Sequence, residues 1–155
     1  MSAPTVGKTA PPFHGPATGG QTLSLADLKG RNVVLYFYPK DSTPGCTTEG
    51  QDFRDASARF DALDTVILGV SRDSLKSHEN FKSKQCFPFD LISDADGTIC
   101  QQYDVIKEKS LYGKKYLGIE RSTFLIDAKG VLRREWRKVK VKGHVAEVLE
   151  AVESL

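Results

Sequence analysis

A chain of 155 residues has the length of one domain, and 39% hydrophobic with 27% charged residues is the composition of an ordinary globular core under a charged surface. Its 22 basic and 20 acidic residues leave a net charge of +2, too balanced to point to nucleic acid or an anionic membrane as partner, and no run approaches the length of a membrane span. Met1 to Gly20, rich in Pro, Gly, Ala and Thr, has neither the charged start nor the apolar run of a signal peptide. The three cysteines are therefore expected in a reducing cytoplasm, where a thiol is more often catalytic or inert than part of a disulfide.

Asn32 to Tyr38 is nearly continuous apolar sequence of high β preference, which predicts a central strand covered on both faces and ended by Pro39. From Cys46 onward, Phe53, Ala56, Phe60 and Leu63 recur at spacings of three and four, the stripe of an amphipathic helix. Thr65 to Val70 reads as a second buried strand, Asp73 to Gln85 as a polar helix, and Phe89 to Ile92 as a short strand. A helix is expected around Asp96 to Tyr103, followed by a polar stretch from Lys107 to Lys115. Ser122 to Ile126 and Val131 to Arg137 should pair as an antiparallel hairpin through Asp127-Ala128-Lys129-Gly130, and His144 to Leu155 closes the chain as a helix. Helices interleaved with buried strands predict an α/β sandwich with a mixed central sheet, behind an N-terminal extension. Residues 1–155 are read as a single domain, and a monomer is expected.

The informative residue is Cys46, which falls after a Pro44-Gly45 turn where a helix should begin. Unpaired N–H groups of a first helical turn and the helix dipole both favour negative charge, so the position suits a nucleophilic thiolate. Metal binding is the competing use of Cys and His, but Cys46, Cys86, Cys100, His14, His78 and His144 show no paired ligand spacing, and no metal or other cofactor is expected. The glycines at 7, 19 and 20 read as turn formers, since no strand precedes them and no phosphate-binding motif follows. Arg133 to Lys142 alternates charge with Trp136, Val139 and Val141, the pattern of an edge strand with one solvated face.

Pro39, Thr43 and Cys46 form P-x-x-x-T-x-x-C, which resembles the peroxidatic motif of the peroxiredoxins. The wider run from Tyr36 to Gly50 looks like the bacterioferritin comigratory protein branch, also called the Q type. Gly69 to Ser74, Gly118 to Asp127 and Trp136 to His144 look like the same branch, so the resemblance covers roughly residues 10–153. It implies a thioredoxin-like fold and thiol-dependent reduction of hydrogen peroxide and organic hydroperoxides, with an external thiol reductant (thioredoxin, glutaredoxin or a low-molecular-weight thiol) as partner.

Chemistry assigns roles to the matching residues. For a generic thiol, lowering the pKa from about 8.5 to about 6.5 raises the thiolate fraction at neutral pH roughly 25-fold, but a Brønsted slope of about 0.4–0.5 takes back roughly 8-fold. Catalysis must then rest on donors aimed at the breaking O–O bond. The Thr43 hydroxyl and the amides of Gly45 and Cys46 are placed to meet a peroxide oxygen, and Pro39 is expected to shield the sulfur from water. The resemblance identifies Arg121 as the active-site arginine that stabilises thiolate and developing alkoxide, and Glu49, three residues after Cys46, is placed to hold it by a carboxylate–guanidinium pair.

Oxidation leaves a sulfenic acid that a second thiol must reduce. Many relatives carry a resolving cysteine where this chain has Gln51, and others near the position of Lys82; here the nearest cysteine is Cys86, one helical turn later. Cα atoms must come within about 7 Å for a disulfide, so Cys86 could reach Cys46 only if the chain rearranged at both ends. A one-cysteine cycle closed by an external thiol is favoured, with Cys86 as the alternative resolver and Cys100 read as a core residue. A disulfide oxidoreductase on this fold would need a thiol where Glu49 stands, and a noncatalytic holdase-like module would consume peroxide without turnover.

Overall fold

The computed structural model describes residues 3–155; Met1 and Ser2, the start of the expected extension, lie outside the described residues. In chain order the elements are β1 (His14–Ala17), β2 (Gln21–Ser24), β3 (Asn32–Phe37), α1 (Pro44–Ala62), β4 (Thr65–Ser71), α2 (Leu75–Gln85), β5 (Asp90–Ser93), α3 (Thr98–Gln102), β6 (Ile106–Leu111), β7 (Lys114–Ile119), β8 (Ser122–Ile126), β9 (Leu132–Trp136) and α4 (His144–Glu153). The main sheet runs β2-β1-β5-β4-β3-β8-β9, and β6-β7 is a separate hairpin. β3 is parallel to β4 and antiparallel to β8, so the sheet is mixed as expected, with β9 at its edge.

Alternation along β3 sorts the core into two layers. Val33, Leu35 and Phe37 face one side, packed with Phe13, Cys100, Tyr103 and Phe124. Val34, Tyr36 and Tyr38 face the other, packed with Cys46, Phe53 and Phe60 of α1, Phe81 of α2 and Val148 of α4. Three helices thus cover the face on which Cys46 lies. At about 25 cal/mol per Å² of apolar surface, each of these large side chains contributes on the order of 2 kcal/mol when buried, so β3 and α1 are held in register by packing rather than by helix propensity.

Two hairpins depart from the expected layout. β1 lies inside the Pro- and Gly-rich start and β2 just beyond it, turning at Gly19 and Gly20, both of positive φ, where glycine carries no Cβ penalty. β6 and β7 occupy what reads as a polar connection. Apart from Ile106 and Ile119, which pack on the core, their residues are exposed or half-buried, so no apolar alternation marks them, and the Tyr112-Gly113 turn uses positive φ at a tyrosine where asparagine is the usual signal. No helix of the described residues is long and apolar enough to cross a membrane.

Candidate active site

Helix α1 begins at Pro44, two residues before the thiol rather than at it. Thr43 is the N-cap and Pro44 the first helical residue, a position where its missing N–H costs nothing and its fixed φ suits the helix. The first helical bond runs from the Thr47 N–H to the Thr43 carbonyl at 2.8 Å, so the amides of Gly45 and Cys46 precede the hydrogen-bonded turns. Cys46 is 2% exposed, in the first turn of α1.

Arg121 lies between β7 and β8 and reaches both partners expected of it. Nη1 donates to Glu49 Oε1 at 2.6 Å, and Nη2 lies 3.4 Å from Cys46 Sγ. Glu49 sits about one turn beyond Cys46 and is fully buried, with Oε2 lacking a protein partner. Burial pushes its carboxyl up to about 7 even though Arg121 pulls the other way. Burial works against the charged guanidinium too, but Glu49 and Cys46 outweigh it and hold Arg121 above the ordinary arginine value. Gly45 makes room for this arrangement, since a Cβ there would stand 3.1 Å from Arg121 Nη2.

The Thr43 hydroxyl is not a free donor. It donates to the Lys40 carbonyl at 2.9 Å, which fixes the turn and leaves its oxygen lone pairs to face an incoming group. Pro39 is exposed and lines a cleft of about 480 Å³ with Lys40, Arg72, Lys109, Tyr116 and Leu117. The β6-β7 hairpin supplies the last three, and sequence reasoning missed them because the hairpin itself left no periodic signal. Burial and the charge of Arg121 hold Lys109 below the ordinary lysine value, while Cys46 and Glu120 act against them.

Cys46, Glu49 and Arg121 therefore converge, Thr43 caps the same helix start and Pro39 lines the cleft beside that loop, whereas Cys86 stands apart. It is exposed and has left-handed backbone (φ 57°) at the end of α2. The N–H of Phe87 bonds the Lys82 carbonyl at 3.1 Å and that of Cys86 bonds the Ser83 carbonyl at 3.3 Å, a Schellman closure. Phe87 seals it against the edge of Phe81, ring centroids 5.0 Å apart. Its ring fills the space a Cβ on Gly50 would need, and Gln85 bonds Gln51 and Arg54. These contacts dock the end of α2 beside residues 50–54, about 6–12 Å along the helix axis from Cys46 at 1.5 Å per residue. Lys82, one turn earlier, pairs with Asp90 at 2.7 Å. Cys100 is fully buried in the core, as its helical context predicts, and burial pushes its thiol far up.

A buried polar network behind the Pro39-to-Thr43 loop escaped sequence reasoning as well. Asp41 accepts from Tyr38 Oη at 2.6 Å and Ser77 Oγ at 2.8 Å and lies 2.7 Å from His78 Nδ1, while its own N–H bonds Asp73 at 2.9 Å. The signal available was an aspartate inside the motif, followed by a Ser-x-Asp at the end of β4. His144 is also buried, within hydrogen-bonding distance of Thr123; burial first, and the charge of Arg121 second, lower it to about 4.

The chain is similar to known proteins over most of its length. The AhpC/TSA family profile matches residues 6–135. A putative peroxiredoxin bcp of Coxiella burnetii is 56% identical over 93% of this chain and 95% of its own length. Peroxiredoxin Bcp of Bacillus subtilis is 52% identical over 97% and 96%. Among solved structures, Xanthomonas campestris peroxiredoxin Q superposes with a TM-score of 0.88 at 54% identity, over 92% of this chain and 90% of that one. A cysteine-to-serine mutant of Xylella fastidiosa PrxQ gives 0.93 at 43% identity, over 99% and 98%. The fold is thus the thioredoxin-like peroxiredoxin fold that the motif implies.

Proposed function

The chain belongs to the AhpC/TSA family, in its Bcp peroxiredoxin branch, and is a thiol peroxidase; from that premise we propose that Cys46 is the nucleophile, Arg121 its electrostatic partner and an external thiol its reductant. A sulfur lone pair of the Cys46 thiolate attacks one oxygen of the hydroperoxide, an S–O bond forms, the O–O bond breaks, and the departing oxygen leaves with the bonding pair. Sulfur takes the terminal OH and is oxidised to the sulfenic acid, and the departing oxygen takes a proton from solvent, so the peroxide is reduced to alcohol or water. Arg121 stabilises the charge as it passes from sulfur to oxygen, and the amides of Gly45 and Cys46 meet the same oxygens. Because its proton is committed to Lys40, Thr43 acts by accepting the hydroperoxide O–H, which orients the reactive oxygen toward sulfur.

The observation that carries this reading is a guanidinium 3.4 Å from Cys46 Sγ whose other nitrogen is locked to a buried carboxylate at 2.6 Å. Arg121 is held by Glu49 whatever the sulfur does, so the site is organised before peroxide arrives. Glu49 positions and does not react. Pro39 shapes one wall of the approach.

Regeneration follows from the same distances. The sulfenic acid is attacked by a thiol, water leaves, and a second thiol frees Cys46 from the mixed disulfide. For Cys86 to serve, the Schellman closure of α2 and the packing of Phe87 on Gly50 would have to open. We therefore assign both thiols to an external reductant, thioredoxin, glutaredoxin or a low-molecular-weight thiol, in a cytoplasmic monomer. The test replaces Cys46, Cys86 and Cys100 singly by serine and follows hydroperoxide turnover with each reductant. Only Cys46→Ser should abolish the first oxidation, and Cys86→Ser should turn over like the wild type. An internal disulfide joining Cys46 and Cys86 after one equivalent of peroxide would replace the one-cysteine cycle with its two-cysteine alternative.

A further inference from the structure

We propose that His78 is a positioning residue for the peroxidase reaction, held as a buried imidazolium between the Asp41 carboxylate and the Ile92 carbonyl, and that through Asp41 it fixes the loop that presents Pro39 and Thr43 to the peroxide. The inference rests on the reading of Cys46 as the peroxidatic nucleophile.

The proton count of the pocket supports it. His78 is fully buried on α2, with Nδ1 2.7 Å from Asp41 Oδ2 and Nε2 3.0 Å from the Ile92 carbonyl oxygen. A neutral imidazole has one N–H and one lone pair, yet both partners here are acceptors. A carbonyl can only accept, so Nε2 carries a proton. Asp41 already receives Tyr38 Oη on Oδ1 and Ser77 Oγ on Oδ2, so one further proton closes the 2.7 Å contact between Oδ2 and Nδ1, and imidazole is ordinarily a stronger base than a carboxylate, which places it on the ring. An imidazolium against a carboxylate then satisfies every group in the pocket, whereas a neutral ring beside an ionised carboxylate would turn a lone pair against an acceptor.

The titratable groups that face His78 are Asp41 from the loop, Asp73 from the connection between β4 and α2, and Tyr38 just past the end of β3. Tyr38 keeps its proton, since burial, then Tyr36 and Asp41, raise it well above the ordinary tyrosine value. Asp41, Asp73 and His78 each offer an atom within 4.8 Å of the others, the spacing of a metal site. Those oxygens are already met by Tyr38, Ser77, Ser71 and the Asp41 N–H, so the cluster is closed by hydrogen bonds and needs no cation.

The link to catalysis is covalent and short. Asp41 lies two residues after Pro39 and two before Thr43, and its side chain and N–H tie that loop to α2 and to the connection between β4 and α2. Ser42, next in the chain, has φ 63°, a conformation an untethered serine would rarely hold. Released from His78, the loop is free to relax, which moves the Thr43 oxygen relative to sulfur while leaving Cys46 on its helix.

Two measurements test this. Nitrogen NMR of the wild type should find protons on both ring nitrogens of His78; a single protonated nitrogen would overturn the proposal whether or not any variant folds. In stopped-flow kinetics, His78→Asn, which keeps an N–H toward Asp41 and removes the charge, should slow oxidation of Cys46 by hydrogen peroxide on the order of tenfold to a hundredfold. Its alkylation by iodoacetamide, which reads the sulfur alone, should stay at the wild-type rate. Asp41→Asn should do the same, and the double variant should lose little more, because both act through one contact. Unchanged peroxide rates, or both rates falling together, would contradict the positioning role. If the wild type itself shows no peroxide oxidation of Cys46, it is the peroxidase assignment that fails.

Discussion

Cys46 and Cys86 stand at opposite ends of helices, and the contrast is the physical ground for proposing one thiol and not the other as the nucleophile. Cys46 lies in the first turn of α1, where N–H groups point outward and a guanidinium stands 3.4 Å away. Cys86 terminates α2, where carbonyls gather; its sulfur lies 3.9 Å from the Ser83 carbonyl oxygen and faces solvent. Negative charge on sulfur is favoured at a helix start and disfavoured at a helix end. The residue type is the same, and its placement on a helix decides its chemistry.

The strongest way to break this comparison is to remove the cation that only Cys46 has. Arg121→Lys keeps the charge but cannot present two nitrogens in fixed geometry to Glu49 and Cys46 at once. Peroxide oxidation of Cys46, followed by stopped flow, should slow on the order of a hundredfold, with alkylation of Cys86 untouched.

Glu49→Gln should sharpen the comparison by separating rate from stability. The Glu49 carboxyl is raised from 4.5 to about 7 in the fold, so the native state holds this proton more tightly than the unfolded chain does. Its stabilising contribution is complete below about pH 4.5 and is lost as pH rises through 7. The neutral amide of Glu49→Gln mimics the protonated carboxyl, so this variant should lose less stability than the wild type as pH rises through 7 and should slow the peroxide reaction about tenfold by loosening Arg121. The rate gap from the wild type should close below pH 7, where Glu49 is itself protonated.

A smaller effect is expected at the other thiol. Cys86 holds φ 57°, a backbone that costs an L-residue about 1 kcal/mol and glycine nothing. Cys86→Gly should raise stability by about 0.5–1 kcal/mol, read from denaturant unfolding, and leave the first peroxide oxidation unchanged. A loss of stability there would mean that the thiol itself, rather than the backbone, holds the end of α2.

Much of this site was legible in the order of residues because its chemistry is local. Pro39, Thr43 and Cys46 are spaced by one turn and one cap, Glu49 falls on the same helix face, and the apolar run of β3 locates them at a strand end. Arg121 could be found only through resemblance, since nothing in the spacing of 75 residues from Cys46 says that β8 pairs with β3 and carries the arginine to α1. The β6-β7 hairpin and the Asp41–His78 network were illegible for different physical reasons. The hairpin buries only the ends of its strands and leaves no period, while the network satisfies polar groups across four chain segments that only the folded sheet brings together. Thr43 lies at the helix start that its spacing from Cys46 indicates, but spacing could not show that its donor is consumed by a carbonyl three residues back.

The most direct test of the central claim is site-resolved trapping of sulfenic acid. The reduced protein is exposed to substoichiometric hydrogen peroxide with a sulfenic-acid probe present, and each cysteine is read by mass spectrometry. The account predicts that the adduct forms on Cys46 first and almost alone, and that Arg121→Lys removes that preference. An adduct that appears on exposed Cys86 while Cys46 stays reduced would contradict it.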